Sequence, residues 1–145
     1  MADFRDKVVE ELQKKFADKV EAFEDNTNES ILVQPVALVD VMKELRDKFE
    51  LPLLMLLTGV EYPEEFLAVY QVTSASNTNR VNVKVKLPKH KPEVPSIVSV
   101  YPAANVQERE TWDLMGITYK GHPNLVRILC PDDFEGHPLR KDFKG

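Results

Sequence analysis

The residues best able to do chemistry crowd into the last third of the chain. Glu108, Arg109, Glu110 and Asp113 come first, then His122, Cys130 and His137, with Arg127 and the run Arg140-Lys141-Asp142 among and after them. Three chemistries are conceivable. Glu110 and Asp113 share a helix face and could act as a paired-carboxylate acid and base. His122, Cys130 and His137 could ligate zinc, with Asp132, Asp133 or Glu135 as a fourth ligand. Arg127, Arg140 and Lys141 could grip carboxylates across an interface, where the planar, bidentate geometry of Arg is favoured.

Each has a plainer reading. Successive helical residues point about 100° apart, so Glu108-Arg109-Glu110 faces most of the way round its helix. A solvated or ion-paired turn, with Arg109 and Asp113 paired at i,i+4, explains it. No glycine loop or nucleophile accompanies the carboxylates. Both histidines sit in Gly-His-Pro, at Gly121-His122-Pro123 and Gly136-His137-Pro138. Gly allows a tight turn and Pro restricts the residue before it. Such histidines serve as turn residues that donate to backbone carbonyls or to a neighbouring subunit, and their spacing fits no compact zinc module. Cys130 follows Ile128-Leu129 and reads as a small buried apolar residue. His90, between Lys89 and Lys91, reads as exposed. By composition Arg140-Lys141-Asp142 is a solvated tail, although Gly136-His137-Pro138-Leu139 before it reads as a structured loop.

Other classes lack their signatures. The chain has no Gly-x-Gly-x-x-Gly and no phosphate-binding loop. One cysteine cannot hold an iron–sulfur cluster, which takes about four thiolates. Neither a cofactor nor a metal is therefore expected on this chain. A net charge of −5 with scattered Lys and Arg argues against nucleic acid. The most apolar run, Leu51 to Leu57, falls far short of the roughly 20 residues of a membrane helix and reads as a buried strand. The start, Met1-Ala2-Asp3-Phe4-Arg5-Asp6, lacks the basic and apolar regions of a signal peptide. A lone Cys130 suits a reducing cytosol.

The elements that must position these residues follow from periodicity. Phe4, Val8, Leu12 and Phe16 share one face of a helix over 3–16. Strands are expected at 20–23 and 31–33, across a polar turn at 25–28. Pro35 opens a second helix, to Phe49, with Leu38, Met42, Leu45 and Phe49 as its stripe. A third strand covers 53–58. Phe66 to Leu87 reads as an antiparallel hairpin whose second strand alternates Val81, Val83, Val85 and Leu87 against Asn82, Lys84 and Lys86, one face buried and one wet. Pro88, Pro92 and Pro95 hold an extended connector. A third helix spans 103–115, and Gly116 supplies the left-handed residue beyond it. The expected fold is α+β: a two-layer domain in the order α-β-β-α-β-β-β with a mixed sheet, then a helix and an extended C-terminal arm. Residues 1–100 form the core and 101–145 the helix and arm, one domain overall. The arm from Pro131 to Gly145 has only Phe134, Leu139 and Phe143 as large apolar residues. It should need the domain, or a partner, to hold it.

Taken in order, Ala104-Asn105, Glu108-Arg109-Glu110, Asp113-Leu114-Met115-Gly116-Ile117, Gly121-His122-Pro123-Asn124-Leu125, Arg127-Ile128-Leu129, Pro131-Asp132-Asp133 and Gly136-His137-Pro138-Leu139-Arg140-Lys141-Asp142 resemble the conserved block of the thirty-kilodalton subunit family of respiratory complex I. The resemblance implies a non-catalytic assembly subunit in the hydrophilic arm of a proton-pumping NADH:quinone oxidoreductase, docked on the large quinone-site subunit. NADH, flavin, iron–sulfur clusters and quinone would belong to the parent complex. The chain would sit peripherally, on the cytoplasmic side of a bacterial or archaeal inner membrane, carried there by other subunits. Glu108, Arg109, Glu110, Asp113, Gly116, Gly121, His122, Pro123, Arg127, Gly136, His137, Pro138, Leu139, Arg140, Lys141 and Asp142 would then be structural or interface residues. The sequence is also similar to subunits of membrane-bound hydrogenases and of ferredoxin- or coenzyme F420-linked complexes. A small zinc-dependent enzyme is the distant alternative.

Overall fold

Alternate apolar residues on neighbouring strands build one dry face, and the helices cover it. The structure, a computed structural model, describes residues 2–24, 29–76, 78–123, 125 and 137. The expected turn at 25–28, and the tail residues Arg127, Cys130, Gly136, Pro138, Leu139, Arg140, Lys141 and Asp142, lie outside the described residues.

Helix α1 (Ala2–Phe16) leads into β1 (Val20–Glu24), which pairs antiparallel with β2 (Glu29–Val33). A 3₁₀ turn at Pro35–Ala37 opens α2 (Leu38–Asp47), so the Pro-initiated helix begins with a tighter turn than expected. Strands β3 (Leu53–Glu61), β4 (Glu65–Thr73) and β5 (Arg80–Pro88) form an antiparallel meander. A parallel β2–β5 pairing joins the two groups into a five-stranded mixed sheet of order β1-β2-β5-β4-β3. The short β6 (Glu93–Pro95), α3 (Ala104–Met115) and β7 (Thr118–Lys120) follow.

Ile31, Val33, Phe66, Ala68, Tyr70, Val72, Val81, Val83, Val85 and Leu87 face Val8, Leu12, Leu38, Val41, Met42 and Leu45 in one continuous core. Each Val, Leu, Ile, Phe or Met among them is worth about 1.5–3 kcal/mol on burial. The fold is thus the expected α+β arrangement, with the helices on one face.

Three local expectations need correction. The run Leu51 to Leu57 is not a buried strand: β3 is an edge strand, and Leu53, Met55 and Leu56 are 44%, 60% and 43% exposed. A register shift between Leu54 and Leu56 breaks its alternation as well. The second face of β5 is not wet, because Asn82 and Lys84 are 9% and 6% exposed. β5 is the central strand, so neighbours crowd it on both sides; Gln71 donates to Asn82 and Lys84 lies over the Phe23 ring. Lastly, the connector and the tail hold strands of three residues each, too short for any period to show. β6 and β7 pair in parallel, with Glu93 opposite Thr118 and Pro95 opposite Lys120.

Helix α3 approaches β3 at Gly59. A Cβ there would fall 2.7 Å from the Ile117 Cδ1 and 3.2 Å from the Met115 Sδ. Gly59→Ala asks only the side-chain ends of Ile117 and Met115 to move, whereas Gly59→Val overfills the gap. The valine variant should lose about 1–3 kcal/mol and the alanine variant less, as read from urea unfolding midpoints. Equal stability of all three chains would contradict the close approach.

Candidate functional site

Helix α3 buries Ala104, Glu108, Thr111 and Met115 toward the sheet. Those positions are spaced i, i+4, i+7 and i+11, one stripe of a helix. The stripe therefore carries a carboxylate where an apolar residue would be ordinary. Glu108 is 0% exposed, so the expectation of a solvated turn fails at this residue. Arg109 and Glu110 are half-buried. Asp113 points to the side of α3 opposite the stripe and is also 0% exposed, so Glu110 and Asp113 do not form an open carboxylate pair.

The Glu108 carboxylate is satisfied from the chain just after β6. The Ser96 hydroxyl donates to Oε1 at 2.6 Å, and the Ile97 N–H donates to Oε2 at 2.9 Å. Burial pushes the carboxyl up to about 7, while the bonds from Ser96 and Ile97 pull it back. Burial also holds the phenols of Tyr70 and Tyr119 well above their ordinary range, and Glu108 adds to both effects.

Both Gly-His-Pro histidines reach this helix. Gly121 adopts a left-handed φ of +84° after β7, which turns His122 back toward α3. The His122 Nε2 lies 3.0 Å from the Asn105 carbonyl and 4.0 Å from Glu108 Oε1. A carbonyl only accepts, so Nε2 carries the hydrogen. At the other end, His137 Nδ1 donates to the Asp113 carbonyl at 2.9 Å. That oxygen is among the last four of the helix, which have no partner within it. The His137 ring meets Trp112 edge-on, with centroids 5.9 Å apart. It also packs on Gly116, whose φ of +79° ends the helix.

These bonds are the expected ones for turn histidines that donate to backbone carbonyls. Among the described residues, no group of three His, Cys, Asp or Glu is placed to hold a metal ion. Clefts at Phe23–Lys86, at Val36–Lys120 and between α1 and α2 are lined by none of the signature residues. His90 is exposed, as expected. Pro123 is exposed just beyond the His122 turn. Several partners in this cluster carry no signal in the sequence. Nothing in spacing links Ser96 to Glu108, or His137 to Asp113. The stripe of Ala104, Thr111 and Met115 is the one cue that position 108 faces inward.

The arrangement is a brace: one carboxylate and two imidazoles tie a helix to the segments before and after it. Comparison with known proteins places the chain in a family. The profile of the family "Respiratory-chain NADH dehydrogenase, 30 Kd subunit" matches residues 31–145. The chain belongs to this family. It is 47% identical over 141 residues to the NADH-quinone oxidoreductase C subunit of Moorella thermoacetica, covering 96% of this chain and 95% of that one. The same-named protein of Roseiflexus sp. is 48% identical over 118 residues, covering 78% of this chain and 68% of that one. Among solved structures, the trypsin-resistant fragment (1-134) of Nqo5 matches with a TM-score of 0.69 at 25% identity, over 83% of this chain and 98% of that one. A chain of the membrane-bound sulfane sulfur reductase, an archaeal respiratory membrane complex, matches with a TM-score of 0.78 at 25% identity, over 95% and 84%.

Two measurements probe the brace. The folded pKa of Glu108, about 7, lies above the ordinary 4.5, so the folded state keeps the proton between those values. Stability should therefore fall as pH rises through that window, by up to about 1.4 kcal/mol per pH unit for one proton. Glu108→Gln has no proton to lose and should remove this component from the slope of urea-unfolding free energy against pH. Identical slopes would contradict the assignment. Gly116→Ala should cost about 1–2 kcal/mol for the left-handed conformation alone, plus displacement of the His137 ring, which lies 2.8 Å from the new Cβ. In a His137→Ala background the cost should shrink toward the conformational part, giving a non-zero coupling in the double-mutant cycle.

Proposed function

We propose that this chain is a non-catalytic assembly subunit of the hydrophilic arm of a proton-pumping NADH:quinone oxidoreductase, docked on the large subunit that helps form the quinone site. The observation that carries the reading is the 47% identity to an NADH-quinone oxidoreductase C subunit across nearly the whole of both chains. The geometry supports it: the signature histidines and Glu108 spend their hydrogen bonds on the chain's own backbone and on Ser96. NADH, flavin, iron–sulfur clusters and quinone then belong to the parent complex. Among the described residues no helix is long and apolar enough to cross a membrane. In this reading the partner subunits hold the chain on the cytoplasmic side of the inner membrane. The tail residues Arg127, Arg140, Lys141 and Asp142 serve as contacts to those partners.

One observation favours a second reading, an equivalent subunit in a related complex with another electron donor. The likeness to a chain of the archaeal sulfane sulfur reductase shows that the fold occurs outside complexes named for NADH. The donor that reduces the co-purified complex separates the two: NADH, or else ferredoxin, reduced F420 or hydrogen.

Expressed alone, the chain should show no flavin absorbance, no cluster spectrum and no NADH oxidation. Tagged in its native host, it should bring down cluster-bearing subunits and an NADH-oxidising activity. A stoichiometric chromophore on the isolated chain, or a tagged chain that brings down no such subunits, would overturn the reading.

A further inference from the structure

His122 stands between two acceptors. Its Nε2, 3.0 Å from the Asn105 carbonyl, is also 4.0 Å from Glu108 Oε1. The side chains of His122 and Glu108 are both sealed from solvent, at 0% exposure. The residues that flank His122 in the chain, Gly121 and Pro123, are exposed. A buried polar contact and a surface turn are therefore joined by one side chain.

Which acceptor the imidazole takes depends on what each already has. The Asn105 carbonyl lies in the first turn of α3, where the helical ladder supplies it with the Arg109 N–H. It stays satisfied if His122 leaves. Glu108 is different. Its Oε1 takes the Ser96 hydroxyl and its Oε2 the Ile97 N–H. Two donors suffice for a neutral acid. An ionised carboxylate has about four acceptor sites, and a buried charge with too few donors is costly. The His122 Nε2–H lies on the Oε1 side. Charge-assisted N–H···O bonds are about 2.7–2.9 Å long, so a ring movement of about 1 Å completes one.

Among the described residues, the titratable groups that face Glu108 from other elements are His122, Tyr119 on β7 and Tyr70 on β4. Burial keeps both phenols protonated well beyond the range in which a carboxyl titrates, and neither hydrogen-bonds the carboxyl. The chain after β6 presents Ser96 and Ile97, and β3 meets α3 through Leu57 and Gly59, none of which titrates. The charged neighbours on α3 itself are Arg109, Glu110 and Asp113.

We propose that His122 is a two-position donor set by the proton on Glu108. While the carboxyl holds its proton, the Nε2–H serves the Asn105 carbonyl. Once that proton passes to bulk water, the Nε2–H turns to Oε1 and draws the exposed turn at 121–123 against α3. A protonation event in the interior is thereby displayed at the surface. Burial pushes the carboxyl up to about 7, which sets the change near neutral pH. The device belongs to the chain itself and stands whichever complex the chain serves.

The test is an NMR titration of the isotope-labelled full chain from mildly acidic to mildly alkaline pH. The Glu108 carboxyl carbon should titrate near 7. The His122 Nε2–H proton, sheltered from exchange by burial, should move downfield with the same midpoint, and the Gly121 amide should follow it. The Val8 amide on α1 should stay still. Glu108→Gln has no proton to lose and should abolish the His122 and Gly121 shifts, whereas Tyr119→Phe should leave them in place. A His122 signal that stays fixed while Glu108 titrates, or that moves as far in Glu108→Gln, would overturn the proposal. Loss of the coupling in Tyr119→Phe would overturn it as well, by making Tyr119 the donor. The wild-type titration decides the question alone if a variant does not fold.

Discussion

A carboxylate sealed away from water must be satisfied by whatever surrounds it, and residues 93–122 of this chain are arranged around that demand. Glu108 enters the sheet–helix interface on the one stripe of α3 that faces the core. Its two oxygens take Ser96 and the Ile97 N–H, which fixes the chain as it leaves β6. With β6 fixed, β7 has a strand to pair with. With β7 in place, the Gly121 turn delivers His122 to the start of the same helix. One buried group thus sets the course of the chain on both sides of α3. It also makes that course sensitive to protonation, because the group titrates near neutrality.

The histidines of the two Gly-His-Pro sequences, His122 and His137, are used alike at opposite ends of α3. Each offers an imidazole N–H to a main-chain carbonyl, Asn105 near the first turn and Asp113 in the last. An imidazole suits this because it is rigid and keeps a donor in its neutral form. Gly116 is required twice over, by its left-handed φ and by the His137 ring that occupies the space of a side chain. Family membership then has a physical meaning. Within this chain's copy of the block, Glu108, Gly116, His122 and His137 hold one helix in place, and the same residues would look catalytic to anyone reading types without contacts.

How far the sequence can be read depends on whether a residue's role is local. Helices α1 and α2, the β4–β5 hairpin and the Gly116 stop depend on neighbours within a few positions, and their periodicity announces them. Edge or centre in a sheet is a matter of tertiary order, so pattern alone misjudges both the apolar run at β3 and the alternation at β5. The run is apolar yet half-open to solvent, and the alternating lysine is covered. The pairing of β6 with β7 spans an intervening helix and rests on three residues a side, too few to leave a pattern. At the brace, the turn histidines are recognisable as carbonyl donors, but their acceptors are not. Glu108 reads as solvated because three consecutive charges obscure the stripe it belongs to.

Gln107, one residue before Glu108, is half-buried and does something different. Its side-chain carbonyl accepts the Leu57 N–H of β3, at the edge of the sheet. Together with the register shift at Leu54–Leu56, it interrupts the ladder of free amides that another strand would need in order to add on. Side chains on this edge remain exposed, while one of its amides is already taken. On the chain by itself, this strand keeps Leu53, Met55, Leu56 and Val60 in contact with water. The side chain of one glutamine takes up an amide through which a further strand would otherwise pair.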